Sequence, residues 1–207
     1  VGGANSSAVT WAGGAYDTFM ATYFLTEDGS VYTCGSNKFG QLGLGLDNNE
    51  NTTRNYAVKT SLTGVNSICT TAGGTSILAT TINNEVYTWG NNQWGQLGLG
   101  HQTHTNIPTK AVFPDKKIRM IHGGGMYGII NGAFLIVCED GTVYGSGFNE
   151  TYALGLTIAG TTTPDPGPIK TFRKNEYFGP NPEQNQDSNR YPLILSGVLT
   201  ESDTVIR

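Results

Sequence analysis

Short apolar runs separated by glycine-rich turns recur along this chain. The clearest runs, residues 31–34 and 86–89, combine β-branched and aromatic residues, a composition typical of β-strands. Each run follows a turn dipeptide, Asp28-Gly29 or Asn83-Asn84, which tolerates the backbone angles of a tight hairpin. Another apolar run precedes each turn, so the pattern predicts a series of β-hairpins.

The hairpins belong to a longer repeat. Its middle copy, residues 85–100, reads Glu-Val-Tyr-Thr-Trp-Gly-Asn-Asn-Gln-Trp-Gly-Gln-Leu-Gly-Leu-Gly, with an earlier copy at 30–45 and a divergent one at 142–156. The valines at 31, 86 and 143 are 55 and 57 residues apart. A period of this size indicates a repeat architecture. About four short strands fit each period, which is the size of a propeller blade.

The loop that closes each repeat has a mechanical interpretation. Its glycines permit close-packed backbone, and its paired leucines are predicted to enter the core. One asparagine recurs in each copy, and we expect its side chain to hydrogen-bond local backbone groups and to stabilise the turn. These residues are Asn37, Asn92 and Asn149.

Together these motifs resemble the regulator of chromosome condensation repeat family, whose domains are usually seven-bladed β-propellers. The resemblance implies an all-β fold: a partial β-propeller of about three four-stranded blades plus part of another, a segment of a seven-bladed ring. Family repeats commonly carry a His-Ser or His-Thr pair after a glycine cluster. The corresponding positions here are Asp17-Thr18, Ser76 and Tyr127. The third copy also replaces Gly-Gln with Tyr152-Ala153.

We predict one incomplete propeller domain over residues 1–207. Six of the eight prolines fall between Pro164 and Pro192, which suggests an insertion that binds a partner or serves assembly; a passive surface loop is the alternative. Both ends of the chain fall at the same phase of the repeat, so we expect a portion of a longer propeller, or an arc completed by another chain. The predicted segments are repeats at 9–58, 59–112 and 113–156, an insertion loop at 157–192, and the start of the next repeat at 193–207.

Charge is sparse in this sequence. The net charge is −4 and 14% of residues are charged, against about 25% in ordinary soluble domains. The 12 lysines and arginines are spread along the chain without a long basic run, which disfavours direct nucleic-acid binding. Without a run of about 18 apolar residues, no membrane span is predicted. The compartment stays open, because the family resemblance implies an intracellular protein and the low charge content would suit an extracellular one.

Candidate chemistry is weak. His122 opens a His-Gly-Gly-Gly tract, but the serine elbow that an esterase needs is missing. His101 and His104 could supply two metal ligands with His122 as a third, yet a pair on one loop is more often solvated surface. The loop that starts at Asp47 lacks the glycine and glutamate that a calcium loop requires at its sixth and twelfth positions. We therefore predict no catalytic, cofactor-binding or metal-binding residue.

The three cysteines, Cys34, Cys69 and Cys138, have no metal-site spacing. Free buried thiols are the simplest interpretation, and a single disulfide with one thiol left over is the alternative.

The leading functional hypothesis is a non-enzymatic interaction or scaffold module that binds protein partners through its blade loops and the 157–192 insertion. One alternative, implied by the resemblance, is guanine-nucleotide exchange on a Ran-type small GTPase. A second is an extracellular structural or fibre-forming protein that assembles through propeller edges, because exposed edge strands can pair with neighbours.

Overall fold

A computed structural model describes residues 9–13, 21–45, 52–71, 74–125, 131–158, 161, 163 and 165–176. Within these ranges no helix has the length and apolarity needed to cross a membrane. The regular structure consists of twelve strands: β1 (Val9–Gly13), β2 (Ala21–Thr26), β3 (Val31–Gly35), β4 (Arg54–Lys59), β5 (Val65–Thr70), β6 (Ser76–Thr81), β7 (Val86–Gly90), β8 (Thr105–Lys110), β9 (Ile118–Gly125), β10 (Gly132–Cys138), β11 (Val143–Gly147) and β12 (Ile169–Lys174).

The strands form three antiparallel sheets of four strands each, β1–β4, β5–β8 and β9–β12, and strand order within each sheet follows the chain. The prediction of an all-β propeller segment with four strands per repeat is therefore confirmed. In each sheet the last two strands pair in the same way, with a tyrosine of the third strand opposite a lysine of the fourth. The pairs are Tyr32 with Lys59, Tyr87 with Lys110, and Tyr144 with Lys174.

The third sheet extends farther than its repeat motif suggested. Residues 157–192 were expected to form an insertion loop, but β12 lies inside that segment and pairs with β11. The strand was missed because a long connection precedes it. The connection from β11 to β12 has 21 residues (148–168), whereas the one from β7 to β8 has 14 (91–104). The rest of the expected insertion, residues 177–192, and the expected next repeat, 193–207, lie outside the described residues.

The three hairpin turns adopt one backbone conformation. Gly29, Asn84 and Gly141 have φ angles of 74°, 62° and 80°, in the left-handed region that glycine and asparagine tolerate best. Their amides donate to the carbonyls of Thr26, Thr81 and Cys138 at 2.8–3.0 Å. The turns predicted from the Asp-Gly and Asn-Asn dipeptides are confirmed.

Apolar side chains fill the space between successive sheets. Ile77 and Ala79 of β6 pack with the first sheet, whereas Leu78 packs with the third, because neighbouring side chains of a strand point to opposite faces. The second sheet is thus buried on both faces, and this explains why all six β6 residues are buried.

Glycine allows the first strands of neighbouring sheets to approach closely. A β-carbon built on Gly123 of β9 would lie 2.1 Å from the Thr70 carbonyl oxygen of β5, where no side chain fits. Gly123 of the His-Gly-Gly-Gly tract therefore has a structural role in packing sheet against sheet.

Trp89 is the largest fully buried side chain between the first and second sheets. Its Nε1–H donates to the Gln41 carbonyl of the first repeat loop at 3.0 Å. Its ring covers Gly43, where an added β-carbon would lie 2.7 Å from Nε1. Tyr23 donates its hydroxyl to the same Gln41 carbonyl at 3.2 Å and to the Gly74 carbonyl at 2.8 Å. Burial raises the pKa of Tyr23 well above its ordinary value, so this hydroxyl stays protonated.

The interface between the second and third sheets covers its repeat loop with different residues. Ser146 stands at the position of Trp89 and donates its hydroxyl to the Gln96 carbonyl at 2.8 Å. The aromatic cover is supplied by Phe172 on β12, because a β-carbon on Gly98 would lie 2.5 Å from that ring. Phe113 and Tyr144 extend the aromatic cluster around it.

Replacing Trp89 should therefore destabilise the packing between the first and second sheets. We expect Trp89→Ala to lower the free energy of unfolding by about 3–5 kcal/mol, because it empties a buried aromatic site. Trp89→Phe, which keeps a ring and loses the N–H donor, should cost about 1–2 kcal/mol. Urea unfolding followed by circular dichroism measures both, with Val112→Ala, 91% exposed, as the control. A loss below about 1 kcal/mol for Trp89→Ala would contradict the packing described.

Two glycines with similar backbone angles provide a second test. Gly90 and Gly100 have φ angles of 98° and 84°, but only Gly90 is crowded: its added β-carbon would lie 2.3 Å from the Thr75 carbonyl oxygen, whereas Gly100 has open space. Gly100→Ala should cost about 1 kcal/mol of backbone strain. Gly90→Ala should cost clearly more in the same denaturation experiment. Equal losses would show that the close contact is not a constraint.

Candidate interaction surface

Three repeat loops, residues 36–45, 91–100 and 148–156, follow the third strand of each sheet. In each loop the recurrent asparagine closes a turn through its side-chain oxygen, as predicted. The Oδ1 atoms of Asn37, Asn92 and Asn149 accept from the amides of the leucines five residues later at 3.0, 3.0 and 2.8 Å. All three asparagines are almost completely buried.

The same side chains join each repeat loop to the connection that leads into the fourth strand. Asn92 Nδ2 donates to the carbonyls of His101 and Thr103 at 2.9 and 3.0 Å. Asn149 Nδ2 donates to the Asp165 carbonyl at 2.5 Å. Asparagine side chains thus hold the repeat loop and the following connection together. We call the edge that the repeat loops and these connections form the rim.

A glutamine braces the first two loops. Gln41 Oε1 accepts the Phe39 amide, and Gln96 Oε1 accepts the Trp94 amide, each at 2.8 Å. Ala153 stands at this position in the third loop and cannot supply the acceptor.

A strand threonine supports the leucine carbonyl of the first two loops. Thr33 and Thr88 donate their hydroxyls to the carbonyls of Leu42 and Leu97 at 2.9 and 2.8 Å. In the third sheet this position is Gly145, and Asn175 donates to the Leu154 carbonyl instead, at 2.9 Å. The third loop therefore keeps its position through a different residue.

Each of the first two loops is also tied to the outer strand of the following sheet. Gly45 donates its amide to the Asn106 carbonyl of β8 at 2.8 Å, and Gly100 donates to the Lys170 carbonyl of β12 at 2.7 Å. These loops are anchored at both ends and across a sheet boundary, so their outward-facing side chains project from a fixed backbone.

The two positions that follow the recurrent asparagine differ from loop to loop although the asparagine bond repeats; in the second and third loops Gln93, Glu150 and Thr151 are exposed there, whereas Trp94 is half-buried. Lys38, Gln93 and Glu150 occupy one equivalent position, so its charge changes from positive to neutral to negative. The next position holds Phe39, Trp94 or Thr151. Comparing the repeat copies position by position would have identified this variable surface from sequence.

The candidate metal ligands are used in the structure of the second loop. His104 Nδ1 accepts the Asn92 amide at 2.9 Å, and its ring packs edge-on against Phe39 with centroids 5.4 Å apart. Partial burial lowers the pKa of His104, which favours the neutral form that can accept. His122 lies on β9, in another sheet. No cluster of three or more potential ligands occurs among the described residues.

The remaining sequence candidates have varied positions. Ser76, at the family's histidine position, is buried and donates to the Asn91 carbonyl at 2.8 Å. Asp17-Thr18, Asp47 and Tyr127 lie outside the described residues. The three cysteines are free: Cys138 is buried, and Cys34 and Cys69 are half-buried. Burial raises the pKa of the Cys69 thiol, which opposes formation of a reactive thiolate.

Acidic residues on the opposite edge serve their own hairpin turns. Asp28 accepts the Thr26 hydroxyl at 2.5 Å and the Ser30 amide at 3.2 Å, and these bonds lower the pKa of its carboxyl. Asp140 pairs with Lys116 and accepts from Thr142, which lowers its pKa also. The turn predicted at Asp28-Gly29 agrees with this geometry, and Asp140 serves the equivalent turn of the third sheet.

Comparison with known proteins places these features in a family. The model of the regulator of chromosome condensation (RCC1) repeat matches residues 28–58 and 83–130. The ultraviolet-B receptor UVR8 of Arabidopsis thaliana is 35% identical over 127 residues, which cover 61% of this chain and 27% of that protein. The probable ubiquitin ligase HERC4 of Mus musculus is 36% identical over 84 residues, 41% of this chain and 8% of that protein.

Solved structures agree at the level of the fold. Yeast RCC1 (Prp20), in a complex with Kap60, superposes with a TM-score of 0.61 at 22% identity over 84% of this chain and 38% of that chain. Human WBSCR16 gives a TM-score of 0.58 at 22% identity, over 82% and 38%. The chain spans about a quarter or less of the length of the two curated relatives, UVR8 and HERC4. Residues 28–58 and 83–130 therefore carry the regulator of chromosome condensation repeat, and the three sheets have the fold of consecutive blades of an RCC1-type β-propeller.

Proposed function

We propose that this chain is a non-enzymatic protein-interaction module that binds a partner through the rim formed by its repeat loops. The observation that carries the proposal is a contrast: the asparagine hydrogen bond recurs in all three loops and the glutamine and threonine bonds recur in the first two, whereas the side chains that follow the asparagine change in charge and size. A rigid scaffold with variable surface positions suits recognition.

The fixed backbone lowers the cost of binding. A loop that is already held in one conformation loses little entropy when a partner docks on it. The bonds from Gly45 to Asn106 and from Gly100 to Lys170 hold the first two loops against the neighbouring sheet.

The second loop has the composition of a protein-binding surface. Residues 91–104 contain no aspartate, glutamate, lysine or arginine, and aromatic residues with few charges are typical of the centre of protein interfaces. Trp94 packs edge-on against Phe148 of the third loop with centroids 4.9 Å apart. Gln93 and Gln102 are exposed in this segment; Gln102 Nε2 donates to the Gln93 carbonyl at 2.6 Å, and the Gln93 side-chain amide can pair with a partner's backbone.

Two relatives bear names that denote different activities, a light receptor and a ubiquitin ligase. What this chain shares with them is the repeat. An interaction role for the repeat itself is compatible with both names, because each of those proteins is several times longer than the matched region.

The proposal is tested by a charge change confined to the rim. We expect Gln93→Arg with Gln102→Arg to weaken capture of the chain's partner from the source cells at least tenfold, about 1.4 kcal/mol, because two cations would be desolvated at the contact. Affinity capture with quantitative mass spectrometry identifies the partner, and titration of the purified partner then measures the loss.

The matched control is Thr63→Arg with Asn83→Arg, which adds the same charge at exposed positions near the opposite edge. This variant should bind normally. Equal weakening by both variants would contradict a rim-specific site. Stimulated nucleotide release from a Ran-type GTPase by the unmodified chain would overturn the non-enzymatic assignment.

A further inference from the structure

Histidine side chains join the second repeat loop to the connection that leads into β8. His104 Nδ1 accepts the backbone amide of Asn92 at 2.9 Å, and His101 Nδ1 accepts the backbone amide of Thr103 at 3.2 Å. An imidazole nitrogen accepts a hydrogen bond only in the neutral ring, because both nitrogens of the imidazolium carry hydrogens. Two hydrogen bonds of the rim therefore require unprotonated histidines.

The other two loops are joined to their connections by different groups. In the first loop Asn37 Nδ2 donates to the Thr52 hydroxyl at 2.9 Å, and in the third loop Asn149 Nδ2 donates to the Asp165 carbonyl at 2.5 Å. Neither a hydroxyl nor a backbone carbonyl changes protonation between pH 5 and 8. The chain's third histidine, His122, lies on β9, so an imidazole acceptor is peculiar to the second connection.

Asn92 is the residue through which the second loop is closed, and His104 holds its backbone. The side chain of Asn92 binds the Leu97 amide and the carbonyls of His101 and Thr103, and the residue is fully buried. Protonation of His104 would place an Nδ1–H against the Asn92 N–H. The amide would then lose its acceptor, and an unsatisfied donor at a buried residue is costly.

The surroundings of His104 favour its neutral form. The ring packs edge-on against Phe39 of the first repeat loop, and burial lowers its pKa from the ordinary value of about 6.5. A proton therefore binds the released ring more tightly than the ring in place. The hydrogen-bonded form has its full stability above about pH 6.5 and loses it as the pH falls through the lowered pKa.

Few charged groups belong to the elements around His104. The second repeat loop and its connection, residues 91–104, carry no carboxylate, lysine or arginine. The first repeat loop contributes Lys38, and β4 begins with Arg54. His101 is the other titratable group on the connection. Asp47 and Glu50 follow the first repeat loop in sequence and lie outside the described residues.

We propose that His104 is an acid-sensitive latch of the rim: its neutral imidazole holds residues 101–104 against the second repeat loop, and protonation releases them. The released segment carries Gln102, whose Nε2 bonds to the Gln93 carbonyl at 2.6 Å. The surface proposed to bind a partner then loses its fixed conformation, and ordering it again on binding lowers the affinity. This inference rests on the proposed interaction function and adds its regulation by pH.

The release is measured by hydrogen exchange of the Asn92 amide in the full chain, followed by NMR at pH 7.5 and pH 5. A ring that titrates near pH 6.5 when released can raise the opening equilibrium up to about thirtyfold over this range. We expect the protection factor of Asn92, corrected for the intrinsic exchange rate at each pH, to fall about fivefold or more. The Leu154 amide, which Asn149 holds in the third loop, should keep its protection.

His104→Asn separates the latch from a general effect of acid. Its Oδ1 stands as many bonds from the backbone as the imidazole Nδ1, and it accepts a hydrogen bond at either pH. We expect the protection of Asn92 in this variant to be the same at both pH values. His122→Asn, the same substitution at an exposed histidine of β9, is the matched control and should keep the fall. Equal protection at the two pH values in the unmodified chain, or the full fall in His104→Asn, would overturn the proposal.

Partner binding provides a second measurement. The partner captured at pH 7.5 is titrated at both pH values with the unmodified chain and with His104→Asn, so that titration of the partner's own groups cancels. The unmodified chain should lose about fivefold or more in affinity relative to the variant; equal losses would exclude regulation of the rim by this histidine. The exchange measurement needs no partner, so failure of the rim test with Gln93→Arg and Gln102→Arg is distinguishable from failure of the latch.

Discussion

The backbone of each of the first two repeat loops packs so closely against the following sheet that glycine is required at the contact. Gly43 lies under Trp89 and Gly98 lies under Phe172, at distances where an added β-carbon would overlap the ring. This contact anchors the loop, aligns successive sheets and sets which carbonyl the next sheet can reach. The buried hydrogen bonds to the carbonyls of Gln41 and Gln96 follow from it.

The constraint also explains why a surface loop can be rigid. Loops are usually the mobile part of a domain, yet here the loop backbone is hydrogen-bonded to its own asparagine, to the threonine of the strand below and to the next sheet. Side-chain variation at the rim then changes recognition without disturbing the fold. The third loop departs from this framework: Tyr152 and Ala153 replace Gly-Gln, and Asn175 supports the leucine carbonyl in place of a strand threonine.

Sequence reasoning succeeded where one residue has one physical task. The hairpin turns followed from Asp-Gly and Asn-Asn, and the turn-closing role of Asn37, Asn92 and Asn149 followed from their position. Sequence reasoning missed β12, because the repeat motif ends at Leu156 and a long connection with several prolines precedes the strand. It also could not foresee that Phe172 on β12 replaces the ring of Trp89, since the two residues lie on non-equivalent strands and meet the same loop only after folding.

The sequence by itself determined the period, the all-β class and the repeat motif, because glycine, asparagine and alternating apolar residues act through local backbone preferences. Only the tertiary structure decided which side chains cross between sheets and which carbonyls they reach. Those outcomes depend on distances between residues about 50 apart in sequence, such as Trp89 and Gln41 or Ser146 and Gln96, and no local preference encodes such distances.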